Sequence, residues 1–162
     1  MTAHQPSFSF TVPGIPVPKG RARIVRNKTT GKAHGITPAK TVNFEATVRL
    51  VASSAKPSGW PMFCEYKVRL HIVRARRGRG DGSNILKAVE DACNGITWID
   101  DEHVSEFHVT RALDAANPRT EVSIEAVAVP CERCSVPTLR PVEKRCPDCH
   151  AALVEKRARR AS

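Results

Sequence analysis

Two groups of residues in this chain have the types and spacing that chemistry needs. The first lies in "VRARRGRGDGSNILKAVEDACNGITWIDDEHV", from Val73 to Val104, where Arg74, Arg76, Arg77 and Arg79 give way to Asp81, then Asn84 and Lys87, and later Asp100 and Asp101. Carboxylates far apart in sequence can form one site for a hard divalent cation such as magnesium, which takes oxygen ligands, usually one or two carboxylates plus water and substrate phosphate. Such an ion polarises a phosphate and stabilises the leaving oxygen, and arginines at the lip would neutralise the rest of a phosphate backbone. Each residue also has a plainer explanation. Asp81 or Ser83 can cap a helix, Asp100–Asp101 can be a solvated turn, and Lys87 can be one more surface lysine. Their joint order favours the site.

The second group is "CERCSVPTLRPVEKRCPDCH", with two CxxC pairs at Cys131, Cys134, Cys146 and Cys149. Four thiolates close a tetrahedral shell around zinc, and two short knuckles joined by a brief loop are the zinc-ribbon arrangement. Such a shell has no open position, so a structural Zn2+ is expected in preference to a catalytic one. Disulfides or a redox CxxC are the alternatives, and nothing here suggests export or a thioredoxin-like context. The segment has few apolar residues, so its folding is expected to depend on the metal. His150 is expected to be a bystander, and Cys64 and Cys93 buried core residues. His103 and His108 lack the clustering of a histidine metal site, and Trp60 and Trp98 are expected to anchor the core.

Secondary elements must hold these groups in place. "SFSFTVPGI" and "EYKVRLHIVRA" alternate apolar and polar residues as half-buried strands do. "AKTVNFEATVRLVASSA" places Val42, Ala46 and Leu50 at helical spacing, which predicts a first helix with those residues on its apolar face. A second helix starting near Ser83 has Ile85, Leu86, Val89, Ala92 and Cys93 on its inward face, with Asn84, Lys87 and Asp91 opposite. Asn94 and Gly95 should end it. "VSEFHVTRAL" and "RTEVSIEAVAV", joined by the turn-rich "DAANP", are expected to form an antiparallel pair. The sum is an α+β core with a mixed sheet and two main helices over residues 1–129, a zinc-ribbon-like module over 130–155 and a basic tail over 156–162.

Charge points to the partner. Lysine and arginine number 26 against 16 acids, giving a formal net charge of +10 and a pI near 9.8, so a polyanion, nucleic acid first, is expected. Lys19, Arg21 and Arg23 in a Gly- and Pro-rich basic loop or hairpin, with Arg74, Arg76, Arg77 and Arg79, are the expected DNA contacts. The amino end lacks the pattern of a signal peptide and no run is long enough to span a membrane, so a cytoplasmic location without membrane association is expected.

The segments "GIPVPKGRAR", "TPAKTVNFE", "GDGSNILKAVEDACNGITW" and "IDDEHV", in that order, resemble the RusA-type Holliday junction resolvases, small endonucleases common in phages and prophages. The resemblance spans most of residues 8–129. It implies a homodimer of mixed α/β architecture that nicks four-way DNA junctions symmetrically with Mg2+ or Mn2+ held by aspartates. On that resemblance Asp81 matches the first aspartate of the family signature, Asn84 its asparagine, Lys87 its lysine and Asp101 the later acidic ligand, with Asp100 beside it. Asp81, Asn84, Lys87 and Asp101 are then the expected catalytic set, and Asp81, Asp100 and Asp101 the expected magnesium ligands. Ser83 stands where the family has a second aspartate. A hydroxyl is a weaker ligand for magnesium, so the site either uses water there, recruits Asp100, Glu90 or Asp91, or binds the ion poorly. The alternative expectation is a branched-DNA-binding architectural or regulatory protein that keeps the fold and has lost cleavage.

Overall fold

The structure is a computed structural model and describes residues 5–21, 23–62, 64–78, 82–135, 137–139, 148–149, 151–152, 155–156 and 159. Its elements are β1 (Ser7–Pro13), β2 (Arg23–Arg26), β3 (Ala33–Ile36), α1 (Ala39–Ala55), β4 (Glu65–Arg74), α2 (Gly82–Cys93), a 3-10 turn (Asp101–His103), β5 (Val104–Leu113), β6 (Arg119–Val127), β7 (Val129–Pro130) and β8 (Pro137–Thr138). The main sheet has the order β1-β6-β4-β5, with β4 and β5 parallel and the other neighbours antiparallel. This is the α+β fold with a mixed sheet and two helices that the sequence pattern implies.

β4 explains the architecture. Tyr66, Val68, Leu70 and Ile72 alternate along it and are all buried, packing with Phe10 and Val12 of β1 and Val122 and Ile124 of β6 under the two helices. The period of two sends the intervening side chains to the opposite face, where register sets Ser9, Ser123, Arg69 and His108 side by side in the open. One face of the sheet is therefore core and the other is polar.

The expected pairing of the last two long strands is overturned, because β4 lies between β5 and β6. Crossing it requires only two interstrand spacings, about 10 Å, within the reach of residues 114–118. The crossing is pinned by Asp114 N donating to Arg74 O (2.8 Å) and by the Asp114 carboxylate accepting from the amides of Ala116 and Asn117 (both 3.1 Å). The strand with the most apolar alternation takes the central place, where both of its edges are paired.

The inward face of α1 also differs from expectation. Thr41, Phe44, Val48 and Ala52 are buried, whereas Val42 and Leu50 are exposed at 47% and 68%. Both sets satisfy helical spacing, lying nearly opposite each other on the wheel. α1 turns inward the face that carries Phe44 and Val48. An aromatic chain runs through the core from Phe8 to Trp60 (4.8 Å between centroids), Tyr66 (5.9 Å) and Trp98 (6.5 Å). Both tryptophans are thus core anchors, and Cys64 and Cys93 are buried as expected.

β2 and β3 form a separate two-stranded ribbon, and β7 with β8 a short pair at the start of the cysteine segment. No helix is long and apolar enough to cross a membrane among the described residues.

Candidate functional site

The acidic pair is placed by a buried anchor. α2 ends at Cys93, and Gly95, at φ +73°, takes a left-handed conformation that favours glycine. The amides of Ile96 and Thr97 donate to Cys93 O (3.0 Å each), and Gly95 N donates to Trp98 O (2.9 Å). This tight return drives Trp98 into the core, where it is fully buried and its indole N–H donates to Asn94 Oδ1 (2.6 Å). Trp60 closes the turn from outside, donating to Thr97 O at 2.5 Å. Asp100 and Asp101 follow two and three residues after Trp98, exposed and at the entrance to β5.

On α2, Ser83, Asn84 and Lys87 are exposed while Glu90 and Asp91 are half-buried. Ser83, Lys87 and Glu90 are spaced three and four residues apart and share one side of α2. The Asp91 carbonyl faces α1 and the Asn84 carbonyl faces the chain leading to it, while Asn84 itself is exposed. Asn84 O accepts from Lys19 N (2.8 Å), Asp91 pairs with the Lys19 ammonium, and Arg49 Nη2 donates to Asp91 O (3.4 Å). Lys87 lies within one turn of both Glu90 and Asp91, and its charge acts on the Glu90 carboxyl.

Electrostatics locate Glu90 beside the acidic pair. Its carboxyl is raised above the ordinary glutamate range, first by partial burial and then by the Asp101 charge, with Lys87 pulling the other way. Asp100 is lowered, chiefly by a hydrogen bond with the Asp101 side chain and then by the Glu102 amide; Asp101 is raised, chiefly by that same bond. The Asp101 charge is felt by both Asp100 and Glu90, and a cation held there would favour the ionised form of each.

Arg111 was not anticipated. It projects from β5 across the start of α2, so that a methyl group on Gly82 would lie 3.4 Å from its Nε. Gly82 is buried, and the Arg111 side chain lies within ordinary van der Waals reach of it. Only the parallel pairing of β4 with β5 brings position 111 near position 82, so no local signal in the sequence could have marked it.

Of the other expected site residues, Asp81 and Arg79 lie outside the described residues, as does Cys146. Arg74 ends β4 with Nη1 donating to Gly78 O (3.3 Å), and Arg76 and Arg77 are exposed just beyond it. Arg21 is exposed before β2, and Arg23 opens that strand. Lys19, by contrast, is turned inward, with its ammonium 3.0 Å from Glu45 Oε1 and paired to Asp91 as well.

Cys131, Cys134 and Cys149 bring their sulfurs within 4.8 Å of one another, and among the described residues theirs is the one group of three metal-type side chains to converge so closely. Among the described residues, the carboxylates of the acidic site are not brought together so closely. The first CxxC is a knuckle: Ser135, at φ +59°, donates its amide to Cys131 O (2.8 Å), and β7 and β8 flank the turn. Cys131 is buried, and Leu139, past β8, packs partly buried against the main core. The segment fits a small metal-binding module built against the α+β body. Three convergent thiols are a soft donor set, suited to zinc and unsuited to magnesium.

A two-helix, mixed-sheet body with an acidic and lysine-bearing edge defines a class that comparison with known proteins makes specific. The family model described as "Endodeoxyribonuclease RusA" matches residues 13–125. The chain belongs to that family. It is also similar to the "Uncharacterized protein YqaN" of Bacillus subtilis (strain 168), with 33% identity over 142 residues, covering 75% of this chain and 97% of the relative. The matched family residues stop before the two CxxC pairs.

Proposed function

We propose that this protein is a metal-dependent, structure-selective endodeoxyribonuclease that resolves four-way DNA junctions by paired symmetric nicks. The observation that carries the reading is the meeting of Lys87 and Glu90, from one face of α2, with Asp101 at the head of β5 in a chain of this family. The donor set fits a hard cation, since Glu90, Asp100 and Asp101 all offer oxygen and Asp81 would add a fourth carboxylate. A bound magnesium or manganese ion would supply Lewis-acid polarisation of the scissile phosphate.

The side chains divide the remaining work. Asp81, Asp100 and Asp101 hold the ion, and Glu90 supplies the carboxylate that Ser83 does not. Asp91 is unsuited to that role because it is committed to Lys19. Lys87, adjacent to Glu90, offsets negative charge building on the phosphate, and Asn84 orients water or a ligand from the first turn of α2. Arg111 and the exposed Arg76 and Arg77 bind flanking phosphates, with Arg21, Arg23, Arg74 and Arg79 extending that track. Two-fold symmetric nicking needs two such sites, so the working form is a homodimer. Residues 1–129 form the nuclease body, 130–155 a zinc-ribbon-like module with Cys146 completing a structural zinc shell, and 156–162 a basic tail that grips a junction arm.

The test is a labelled four-way junction incubated with magnesium, manganese or EDTA. Parent protein should make paired nicks with either ion and none with EDTA, while Asp101→Asn and Asp81→Asn should bind the junction and leave it intact. Ser83 favours a second reading, in which the protein binds branched DNA without cutting it. Junction binding with no nicks by the parent would decide for that reading, and a Ser83→Asp variant that gained cleavage would explain it.

A further inference from the structure

The β2–β3 ribbon carries an apolar side chain in a place where folding gives no reason for one. Ile24 is 81% exposed. Register sets it opposite Gly35, which has no side chain, and its diagonal neighbour Ala33 is small. It is therefore the one large apolar side chain on its face of the ribbon, which it shares with Arg26. Val25 (41%) and Ile36 (47%) are exposed on the other face.

The ribbon is nonetheless built and held. Its turn is closed by Asn27 N donating to Lys32 O and Gly31 N donating to Asn27 O (2.9 Å each), and Asn27 Oδ1 accepts from the amides of Thr29 (2.8 Å) and Thr30 (3.1 Å). Its root is fixed to the candidate site. Lys19 N donates to Asn84 O in the first turn of α2, and Gly20 N donates to Thr41 Oγ1 (3.1 Å). Gly20 cannot be larger, since a Cβ would fall 2.7 Å from Pro38 Cγ. Charge completes the picture: from Met1 to Phe44 the chain contains no acidic residue, and Arg21, Arg26, Lys28 and Lys32 border Ile24 and the turn.

We infer that this ribbon enters the substrate DNA beside the scissile phosphate, and that Ile24 acts as a wedge which unstacks bases at the branch point. The inference rests on the proposed action on branched DNA and deepens it by naming the residue that senses the branch. A two-stranded ribbon fits a groove of DNA, and apolar side chains inserted between base steps part them at a cost of a few kcal/mol per step, least where stacking is already interrupted. A branch point is such a place, so a wedge rewards branched over continuous DNA.

The experiment places 2-aminopurine at the junction centre, or ten base pairs into an arm, and measures its fluorescence, DNA affinity, nicking and sedimentation for full-length protein. Parent protein should brighten the central probe and not the arm probe. Ile24→Ser should lose most of that rise and roughly tenfold of the junction-over-duplex preference, with linear-duplex affinity and its salt dependence unchanged; Ile24→Leu should restore both. Ile36→Ser, on the opposite face, should behave as the parent. Unchanged brightening and preference in Ile24→Ser, while the parent still nicks junctions, would overturn the wedge and leave the nuclease reading standing. A shift in oligomeric state with the DNA signals intact would mean that a second copy covers Ile24, which also overturns it. No junction preference in the parent would sink both.

Discussion

Lys19 tests whether a basic residue at this surface serves the fold or the DNA. Its ammonium lies between Glu45 and Asp91, with 29% of the lysine side chain, 22% of Glu45 and 34% of Asp91 exposed. An ion pair at about 3–4 Å is worth roughly 4–6 kcal/mol at an effective dielectric of 20 before desolvation. Partial exposure and the ordering of three side chains reduce this to about 1–2 kcal/mol. Lys19→Met removes it and leaves two carboxylates facing each other, so a loss of about 2 kcal/mol is expected by urea unfolding at low salt. Adding Glu45→Gln should recover part of the loss, because one of the repelling charges is gone. Junction affinity should keep the parent's salt dependence, since no phosphate contact is deleted, whereas Arg21→Ala should lower the slope of log K against log salt by about one. If Lys19→Met leaves stability within about 0.5 kcal/mol of the parent and lowers the salt slope as Arg21→Ala does, the ion triad is incidental and Lys19 belongs to the DNA track.

Two further outcomes are expected. Purified protein should contain one zinc per chain by elemental analysis and lose it in Cys134→Ser, with the α+β body still folded; recovery of oxidised, metal-free cysteines from the parent would refute the zinc shell. Burial pushes the Cys93 thiol from 9.0 up to about 12, so its contribution to stability is complete below pH 9, where the unfolded chain also holds the proton, and is lost as pH rises towards 12. Unfolding experiments across that interval should show a falling stability whose slope is shallower in Cys93→Ala, and equal slopes in the two proteins would contradict it.

The elements that sequence alone reveals are those whose residues have one way to be buried. β4 has a single apolar face, α2 has one inward face built on Ile85, Val89 and Ala92, and the CxxC pairs admit few geometries. α1 was ambiguous because apolar residues occupy two opposite sectors of it, and the choice is made by tertiary packing. The insertion of β4 between β5 and β6 is likewise a property of the whole sheet, which "DAANP" between two strands cannot encode. The site divides in the same way. The acids and Lys87 stand out by type, while Glu90's nearness to Asp101, Arg111's passage over Gly82 and Lys19's retreat into an ion triad all follow from long-range placement.

That placement also accounts for the odd neighbourhood of arginines and aspartates. The described ion pairs, Lys19 with Glu45 and Asp91, Lys67 with Glu106, and Arg119 with Asp114 and Glu121, lie apart from the acidic site. None of them involves Asp100, Asp101, Arg76 or Arg77. Opposite charges that meet on a surface ordinarily pair, at a gain of a few tenths of a kcal/mol each. On the proposed reading, carboxylates left outside such pairs stay open to a cation and guanidiniums to phosphates. A phosphodiester held against a metal ion needs both at once.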